Sequence, residues 1–188
     1  MRKLVYYVGM SIDGFIAGPD DQVDFYPVTP DVLEFLTGDF PDALPTHVRA
    51  QLGVDVPNKR FDVCVQGRTT YEPALAIGVT SPYAHLQQLV VSTTLVSDDP
   101  AVEVVSSGVV ERVRELKAQD GLDIYLAGGA QLAGTLLPEI DELVVKVYPV
   151  VAGSGVPLFR ADFSPTAFTL TGTKVLEGGM VVLSYARA

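Results

Sequence analysis

The stretch from Phe61 to Leu75, FDVCVQGRTTYEPAL, constrains the fold more than any other part of the sequence. An apolar run typical of a buried strand ends at Gly67, and an apolar pattern of helical spacing follows it. This pattern predicts a strand, a tight turn and a helix, which is the repeating unit of proteins that cover a parallel sheet with helices.

The turn after this strand is suited to binding an anion. The start of a helix offers unpaired backbone N–H groups at the positive end of its dipole. Arg68 adds a cation, and Thr69 and Thr70 add hydroxyls. Thr69 and Glu72 have the spacing of a capping box, whereas Pro73 favours Thr70 as the cap. A helix that is merely capped, with an exposed arginine, explains this stretch equally well when it is taken alone.

Two later segments also place an anion-compatible turn directly after a strand. A strand over 89–91 ends in the hydroxyl cluster 92–94, and a strand over 122–127 ends at Gly128 and Gly129. Glycines at such a turn let backbone N–H groups approach an anion closely. Because the carboxyl ends of parallel strands gather at one edge of a sheet, we expect the three turns to bind one dinucleotide. Arg68 and the hydroxyl cluster suit an extra ribose phosphate and favour NADP over NAD.

The ends of the chain complete the expected sheet. A continuous apolar run over 3–9 predicts a central strand that is buried on both faces. The segments 168–176 and 180–186 flank a Glu-Gly-Gly turn and predict an antiparallel hairpin at the sheet edge. The insertion over 39–60 gives weaker signals, although 46–53 has the pattern of a short helix. We expect a single domain over residues 1–188.

Composition excludes several classes of function. The net charge of −10 and the pI near 4.5 argue against nucleic-acid partners and anionic membrane surfaces. The single cysteine, Cys64, lies in an apolar strand and is expected to be an inert core residue. With two histidines and no metal-binding spacing, we predict no metal site. The basic N-terminus precedes too short an apolar run for a signal sequence, so we expect a cytoplasmic protein.

Five motifs together carry a family resemblance: SIDGFIAG, GRTTYE, VVSTT, YLAGGAQL and PVVAGSGVPLF. They resemble the dihydrofolate reductase superfamily, and most closely the C-terminal reductase domain of the riboflavin-biosynthesis deaminase/reductase. The resemblance implies a three-layer α/β fold with a mixed, mostly parallel sheet of about eight strands and a C-terminal antiparallel hairpin. It also implies NADPH as the cofactor and a homodimer.

The same resemblance assigns candidate site residues. The cofactor would contact Ala17, Gly18, Gly67, Arg68, Thr69, Thr70, Ser92, Thr93, Gly128, Gly129, Ala130 and Gln131. Asp31 is the candidate catalytic acid, although a carboxylate at a helix start has an equally good structural explanation. Asp13, Asp24 and Gly153 are the candidate substrate contacts. For Asp13 a turn-forming role is the stronger alternative, and for Asp24 a solvated loop charge.

These features predict an NADPH-dependent reductase that transfers hydride to a small heterocycle. The leading substrate is 5-amino-6-(5-phosphoribosylamino)uracil, although Phe15 occupies a position where reductases of the riboflavin pathway commonly carry a basic residue. The alternatives are dihydrofolate reductase, a catalytically inactive NADP-binding protein, and an α/β domain that binds no nucleotide.

Overall fold

Strands and helices alternate through most of the chain in the computed structural model, which describes residues 1–188. The ten strands are β1 (Leu4–Met10), β2 (Phe15–Ala17), β3 (Phe61–Gly67), β4 (Gln87–Val91), β5 (Val102–Val105), β6 (Asp123–Gly128), β7 (Glu142–Val147), β8 (Val156–Pro157), β9 (Phe168–Val175) and β10 (Val181–Arg187). The five α-helices are α1 (Pro30–Asp39), α2 (Thr46–Gln51), α3 (Arg68–Ala76), α4 (Val109–Ala118) and α5 (Ala130–Thr135). Two short 3₁₀ helices cover Pro41–Ala43 and Leu137–Glu139.

Eight of the strands form one mixed sheet in the order β5-β4-β3-β6-β1-β7-β10-β9. All pairs from β5 to β7 are parallel, and β10 runs antiparallel to both β7 and β9. The remaining strands, β2 and β8, form a small antiparallel pair. The predicted fold class, with its parallel sheet and C-terminal hairpin, is therefore confirmed.

The apolar run of β1 is continuous because both faces of the sheet are covered. Leu4 and Tyr6 point into a core on one face, which α4 and α5 cover. Val5 and Tyr7 point into a second core on the other face, which α1 and the first 3₁₀ helix cover. Strand residues therefore alternate between two cores, and no position in the first part of β1 needs to be polar.

A buried carboxylate organises the insertion between α1 and β3. Asp42 is fully buried and accepts hydrogen bonds of 2.6 to 3.1 Å from the backbone N–H groups of Lys59, Arg60 and Phe61. His85 contacts the carbonyl oxygen of Asp42 at 2.9 Å. The Asp42 carboxylate thus fixes the start of β3, and the predicted helix over 46–53 is present in the shorter form of α2.

The predicted caps of α3 are wrong. The helix begins at Arg68, with Gly67 at the N-cap position and no side chain capping it. Glu72 does not complete a capping box, because its carboxylate binds Arg68 Nε at 2.6 Å. Pro73 is accommodated inside the helix. The first-turn N–H groups of α3 are therefore free of a side-chain cap.

Candidate functional site

The three predicted turns lie at the carboxyl edge of the sheet, where the chain changes direction. From β3 the chain runs through α3 to β4, towards one edge of the sheet. From β6 it runs through α5 to β7, towards the other edge. The apolar contacts of α3 and α5 lie on opposite faces of the sheet, since Tyr71 packs with Val90 and Leu132 with the core that contains Leu89. Such a reversal opens a crevice between neighbouring strand ends, and ligands of α/β proteins bind there.

The first and third turns face each other across this crevice. Gln66 and Gly128 are partners in the β3–β6 register. A Cβ atom at Gly67 would lie 3.6 Å from the carbonyl oxygen of Gly128, and one at Gly129 would lie 3.7 Å from Thr70 Oγ1. Gly128 has a φ of +106°, a conformation that favours glycine, and lies against the Tyr6 ring. The two turns therefore form a single backbone-lined surface.

Arg68 joins the first turn to the second. Its guanidinium donates a hydrogen bond to the hydroxyl of Thr94 and another to Glu72. Ser92 Oγ accepts hydrogen bonds from the backbone N–H groups of Thr94 and Leu95, at 3.2 and 3.0 Å, and so shapes this turn. Arg68 and the neighbouring Thr93 are exposed. The three turns thus combine uncapped N–H groups, a cation and hydroxyls, which are the groups that bind phosphate.

A cleft continues from these turns towards β1. The strand pairs with β6 only as far as Tyr6 and Leu126, although it continues along β7 to Met10. The segment from Tyr7 to Met10 therefore has no β-sheet partner on the β6 side. Ala17 ends β2 and Gly18 follows it; both are buried and lie close to Gly155, where a Cβ atom would be 2.1 Å from the Ala17 carbonyl oxygen.

Two of the predicted substrate contacts, Asp13 and Gly153, meet in the structure. Asp13 accepts hydrogen bonds from the Ser11 hydroxyl and from the backbone N–H groups of Ala152 and Gly153, at 2.6, 2.9 and 2.7 Å. These bonds, led by that from Ser11, lower the pKa of Asp13 to about 2. Asp13 is therefore ionised at neutral pH and ties the loop after β1 to the loop after β7.

Asp24 lies apart from this pair. Its side chain is exposed, and it precedes an aromatic stack in which the Phe25 and Tyr26 ring centroids are 4.3 Å apart and those of Tyr26 and Tyr148 are 4.6 Å apart. The structure therefore places Asp24 at the rim of an aromatic surface, and its role as a substrate contact stays a prediction.

Asp31 lies in the first turn of α1 and contacts the C-terminal hairpin. Its carboxylate accepts a hydrogen bond of 2.8 Å from the backbone N–H of Gly178 and another from the Thr29 hydroxyl. The bond from Gly178, assisted by Thr29, holds the pKa of Asp31 below its usual range. This geometry gives Asp31 a clear structural function, and its assignment as the catalytic acid stays a prediction.

Lys146 and Tyr7 are two polar residues that the predicted site did not include. Lys146 Nζ lies 3.9 Å from the centroid of the Tyr7 ring, and burial lowers the pKa of this amine to about 7. The Tyr7 hydroxyl is buried without a hydrogen-bond partner. Lysine within the apolar run LVVKV of β7 was the sequence signal for this pair, because lysine is rare in strands that are covered on both faces.

A cavity of about 570 Å³ lies away from the three turns, between α3 and the segment 95–100. Its lining includes Tyr71, Leu75 and Asp99 but none of the predicted cofactor residues. This cavity is therefore separate from the candidate site at the three turns. None of the helices has the length and apolar character needed to cross a membrane.

Comparison with known proteins identifies relatives of the whole chain. Residues 62–182 match the family model described as the RibD C-terminal domain. The uncharacterized protein YwjB of Bacillus subtilis (strain 168) is 32% identical over 190 residues, which cover 100% of this chain and 99% of YwjB. The matched region contains all three turns and Lys146, whereas β1 and α1 lie before it.

Solved structures share the fold at low sequence identity. Dihydrofolate reductase from Enterococcus faecalis, complexed with NADP(H) and RAB-propyl, has a TM-score of 0.65 and 17% identity over 98% of this chain and 96% of that one. A diaminohydroxyphosphoribosylaminopyrimidine deaminase/5-amino-6-(5-phosphoribosylamino)uracil reductase from Thermotoga maritima has a TM-score of 0.65 and 14% identity. That match covers 100% of this chain and 57% of the Thermotoga protein.

Proposed function

The chain belongs to the RibD C-terminal domain family, and from this premise we propose that it is an NADPH-dependent reductase that transfers hydride to a small heterocycle. The leading substrate is 5-amino-6-(5-phosphoribosylamino)uracil or a related pyrimidine. The observation that carries the proposal is the convergence of the three turns, with Arg68 extending from the first to the second.

The cofactor would lie along the carboxyl edge of the sheet. Arg68 and the exposed Thr69 and Thr93 would hold the ribose phosphate, with Ser92 shaping the turn between them. The uncapped start of α3 and the backbone of Gly128 and Gly129 would face the pyrophosphate. Because the protein carries a net charge of −10, such a phosphate must be held by these local donors rather than by the overall field.

The nicotinamide would lie in the cleft beside β1. Bound NADPH supplies the hydride, and the protein positions the two rings and excludes water. The backbone from Tyr7 to Met10 has no strand partner on this side, so its polar groups are available to a ring inserted between β1 and β6. Ala17 and Gly18 would close the cleft from the side of β2.

Dihydrofolate is the second candidate substrate. The similarity to the Enterococcus enzyme, whose structure contains NADP(H), favours this alternative at the level of the fold. The presence of Phe15 instead of a basic residue also argues against a ribosyl-phosphate substrate and therefore favours dihydrofolate as the alternative. A protein that binds NADP without turnover is the third alternative.

An NADPH oxidation assay with the purified protein distinguishes these alternatives. The two substrates are supplied separately at equal concentration, and the loss of NADPH absorbance is followed with NADH as the parallel cofactor. Faster oxidation with the aminopyrimidine than with dihydrofolate supports the proposal. Faster oxidation with dihydrofolate contradicts the assignment of the substrate. NADPH binding without reduction of either substrate contradicts the proposed reductase activity.

A further inference from the structure

Lys146 is unusual because its amine has neither an acceptor nor a counter-ion. Its side chain is partly buried on the α1 face of the sheet, and no carboxylate, carbonyl or hydroxyl oxygen lies within hydrogen-bond distance of Nζ. Burial lowers the pKa of this amine to about 7, and the face of the Tyr7 ring, 3.9 Å from Nζ, is its close electrostatic contact. A half-buried amine that pairs with no oxygen of the protein is free to bind one from a ligand.

Lys146 lies across β1 from the proposed nicotinamide cleft. Lys146 is the β7 partner of Gly9, which lies in the segment of β1 beyond the last pair with β6. A Cβ atom at Gly9 would lie 2.9 Å from the Tyr148 ring and 3.9 Å from Lys146 Cε. Glycine at this position therefore leaves room for the tyrosine and the lysine to lie side by side over β1.

Aromatic rings form the rest of this surface. The Tyr7 ring lies under the amine and stacks on Phe40 with a centroid distance of 4.4 Å. Tyr148 continues into Tyr26 on the other side. Tyr7 adds a second polar group without a partner, its buried hydroxyl. Tyr7, Phe40 and Tyr148 are themselves buried, so the partly exposed Lys146 and Tyr26 are the groups of this cluster that a planar heterocycle with oxygen acceptors can reach.

No charged residue nearby neutralises Lys146. The titratable groups on this side of the sheet are Cys64, the tyrosines 7, 26, 83, 125 and 148, and the residues Asp31, Asp39, Asp42, Arg49, Arg60, His85 and Lys174. The Asp42 carboxylate is bound to the backbone N–H groups of residues 59–61. Asp31 binds the backbone N–H of Gly178 at 2.8 Å, and Asp39 binds Lys174 at 2.7 Å. These two carboxylates are thus engaged elsewhere, which leaves the Lys146 amine able to bind an anionic or carbonyl oxygen of a ligand.

We propose that Lys146 is the substrate-recognition residue of this cleft and donates a hydrogen bond to a ring carbonyl or ring oxyanion of an oxo-pyrimidine. The same amine disfavours a protonated 2,4-diamino ring, because two cations would meet in a poorly solvated site. The proposal rests on the proposed function for the placement of the cleft, and it makes the pyrimidine dione class the preferred substrate.

The test compares two planar six-membered rings of opposite character. Barbiturate is an anionic oxo-pyrimidine at neutral pH, whereas 2,4-diaminopyrimidine presents ring and exocyclic donors. Binding of each is titrated by ligand-observed NMR at pH 6.5 and pH 9 to the wild-type full chain, to Lys146→Met and to Lys174→Met. Lys174 is the matched control, because its amine also lies over an aromatic ring, 5.0 Å from the Phe35 centroid, but is exposed and paired with Asp39. NADPH affinity is measured separately for each protein.

We expect the wild type and Lys174→Met to prefer barbiturate, with tighter binding at pH 6.5, where the amine is protonated. Lys146→Met should lose about 10- to 100-fold in barbiturate affinity, the range for a hydrogen bond to a charged group. Equal barbiturate affinity in the wild type and Lys146→Met overturns the proposal. A wild type that prefers the diaminopyrimidine or binds neither ring also overturns it.

A second readout uses only the wild type and covers the case in which Lys146→Met does not fold. Lysine acetylation by acetic anhydride is followed by mass spectrometry, with and without barbiturate. Selective protection of Lys146, with no change at Lys174, supports the proposal, and absence of protection overturns it. Loss of the NADPH site with retained protection of Lys146 would refute the proposed reductase and leave this recognition role standing.

Discussion

Replacement of Arg68 by alanine tests the phosphate site in the first turn. Arg68 is the guanidinium that extends to the second turn, and no other cation comes from the three turns. A hydrogen bond to a charged group contributes about 1.5–3 kcal/mol. Because 47% of the Arg68 side chain is exposed, solvent screening reduces this contribution to about 1–2 kcal/mol. We therefore expect Arg68→Ala to weaken NADPH binding by about 5- to 30-fold.

The loss should be specific for the ribose phosphate. NADH affinity should change by less than about twofold, and the effect of the substitution should shrink at high salt, because exposed charges are screened. The measurement is a fluorescence titration of both cofactors at two ionic strengths. Arg114→Ala is the control, since this arginine is exposed on α4 and pairs with Glu139. Unchanged NADPH affinity in Arg68→Ala, or an equal loss for NADH, would refute the assignment.

Glu72 offers the opposite perturbation at the same site. Its carboxylate pairs with Arg68 at 2.6 Å and competes with an incoming phosphate for the guanidinium. An exposed i,i+4 ion pair contributes about 0.3–0.5 kcal/mol, so Glu72→Gln should tighten NADPH binding by about twofold. Weaker NADPH binding in Glu72→Gln would show that the ion pair orients Arg68 instead of occupying it.

Three further substitutions test other parts of the structure. Asp42→Ala should destabilise the protein by about 3 kcal/mol, because three backbone donors lose a charged acceptor; a loss below about 1 kcal/mol in urea denaturation would contradict this role. Between pH 7 and 9.5 the unfolded chain binds a proton at Lys146 that the folded chain has released, so stability from this group rises with pH. Denaturation across this pH range should show that Lys146→Met removes the rise in the free energy of unfolding. A rise retained in Lys146→Met would contradict the lowered pKa of this amine. Because the pKa of Asp31 is already below its usual range, Asp31→Asn should change turnover at neutral pH by less than about tenfold, whereas a loss above about 100-fold would identify it as the proton donor.

The sequence was sufficient to predict the sheet, because each strand end carried its own signal. Gly67 and the Gly128–Gly129 pair marked the turns after two buried strands, and the structure places them within contact distance. Local patterns predicted this juxtaposition because parallel strands must end at a common edge. The hairpin at Gly178 and Gly179 was predicted from its turn residues, because turn chemistry is local.

Features that spacing alone does not decide, and features that depend on distant contacts, were not predictable. The capping box at Thr69 and Glu72 failed because Glu72 pairs with Arg68, an alternative that spacing alone does not exclude. Asp42 could not be recognised as a buried acceptor, since its donors lie 17 to 19 residues away. The position of Lys146 beside the cleft could be recognised only from the register of β7 with β1. That register pairs Lys146 with Gly9, which leaves room for the lysine side chain.

The most direct test of the central claim is a titration of the wild-type protein with NADPH and, separately, NADH, followed by thermal shift and fluorescence. A ligand that binds only the folded state stabilises it by RT ln(1 + [L]/Kd), so the unfolding temperature rises with ligand concentration and affinity. We predict a clear stabilisation by NADPH and a weaker one by NADH, because the ribose phosphate adds contacts with Arg68 and the second turn. Equal responses to both cofactors would contradict the phosphate assignment, and no response to either would contradict the dinucleotide site itself.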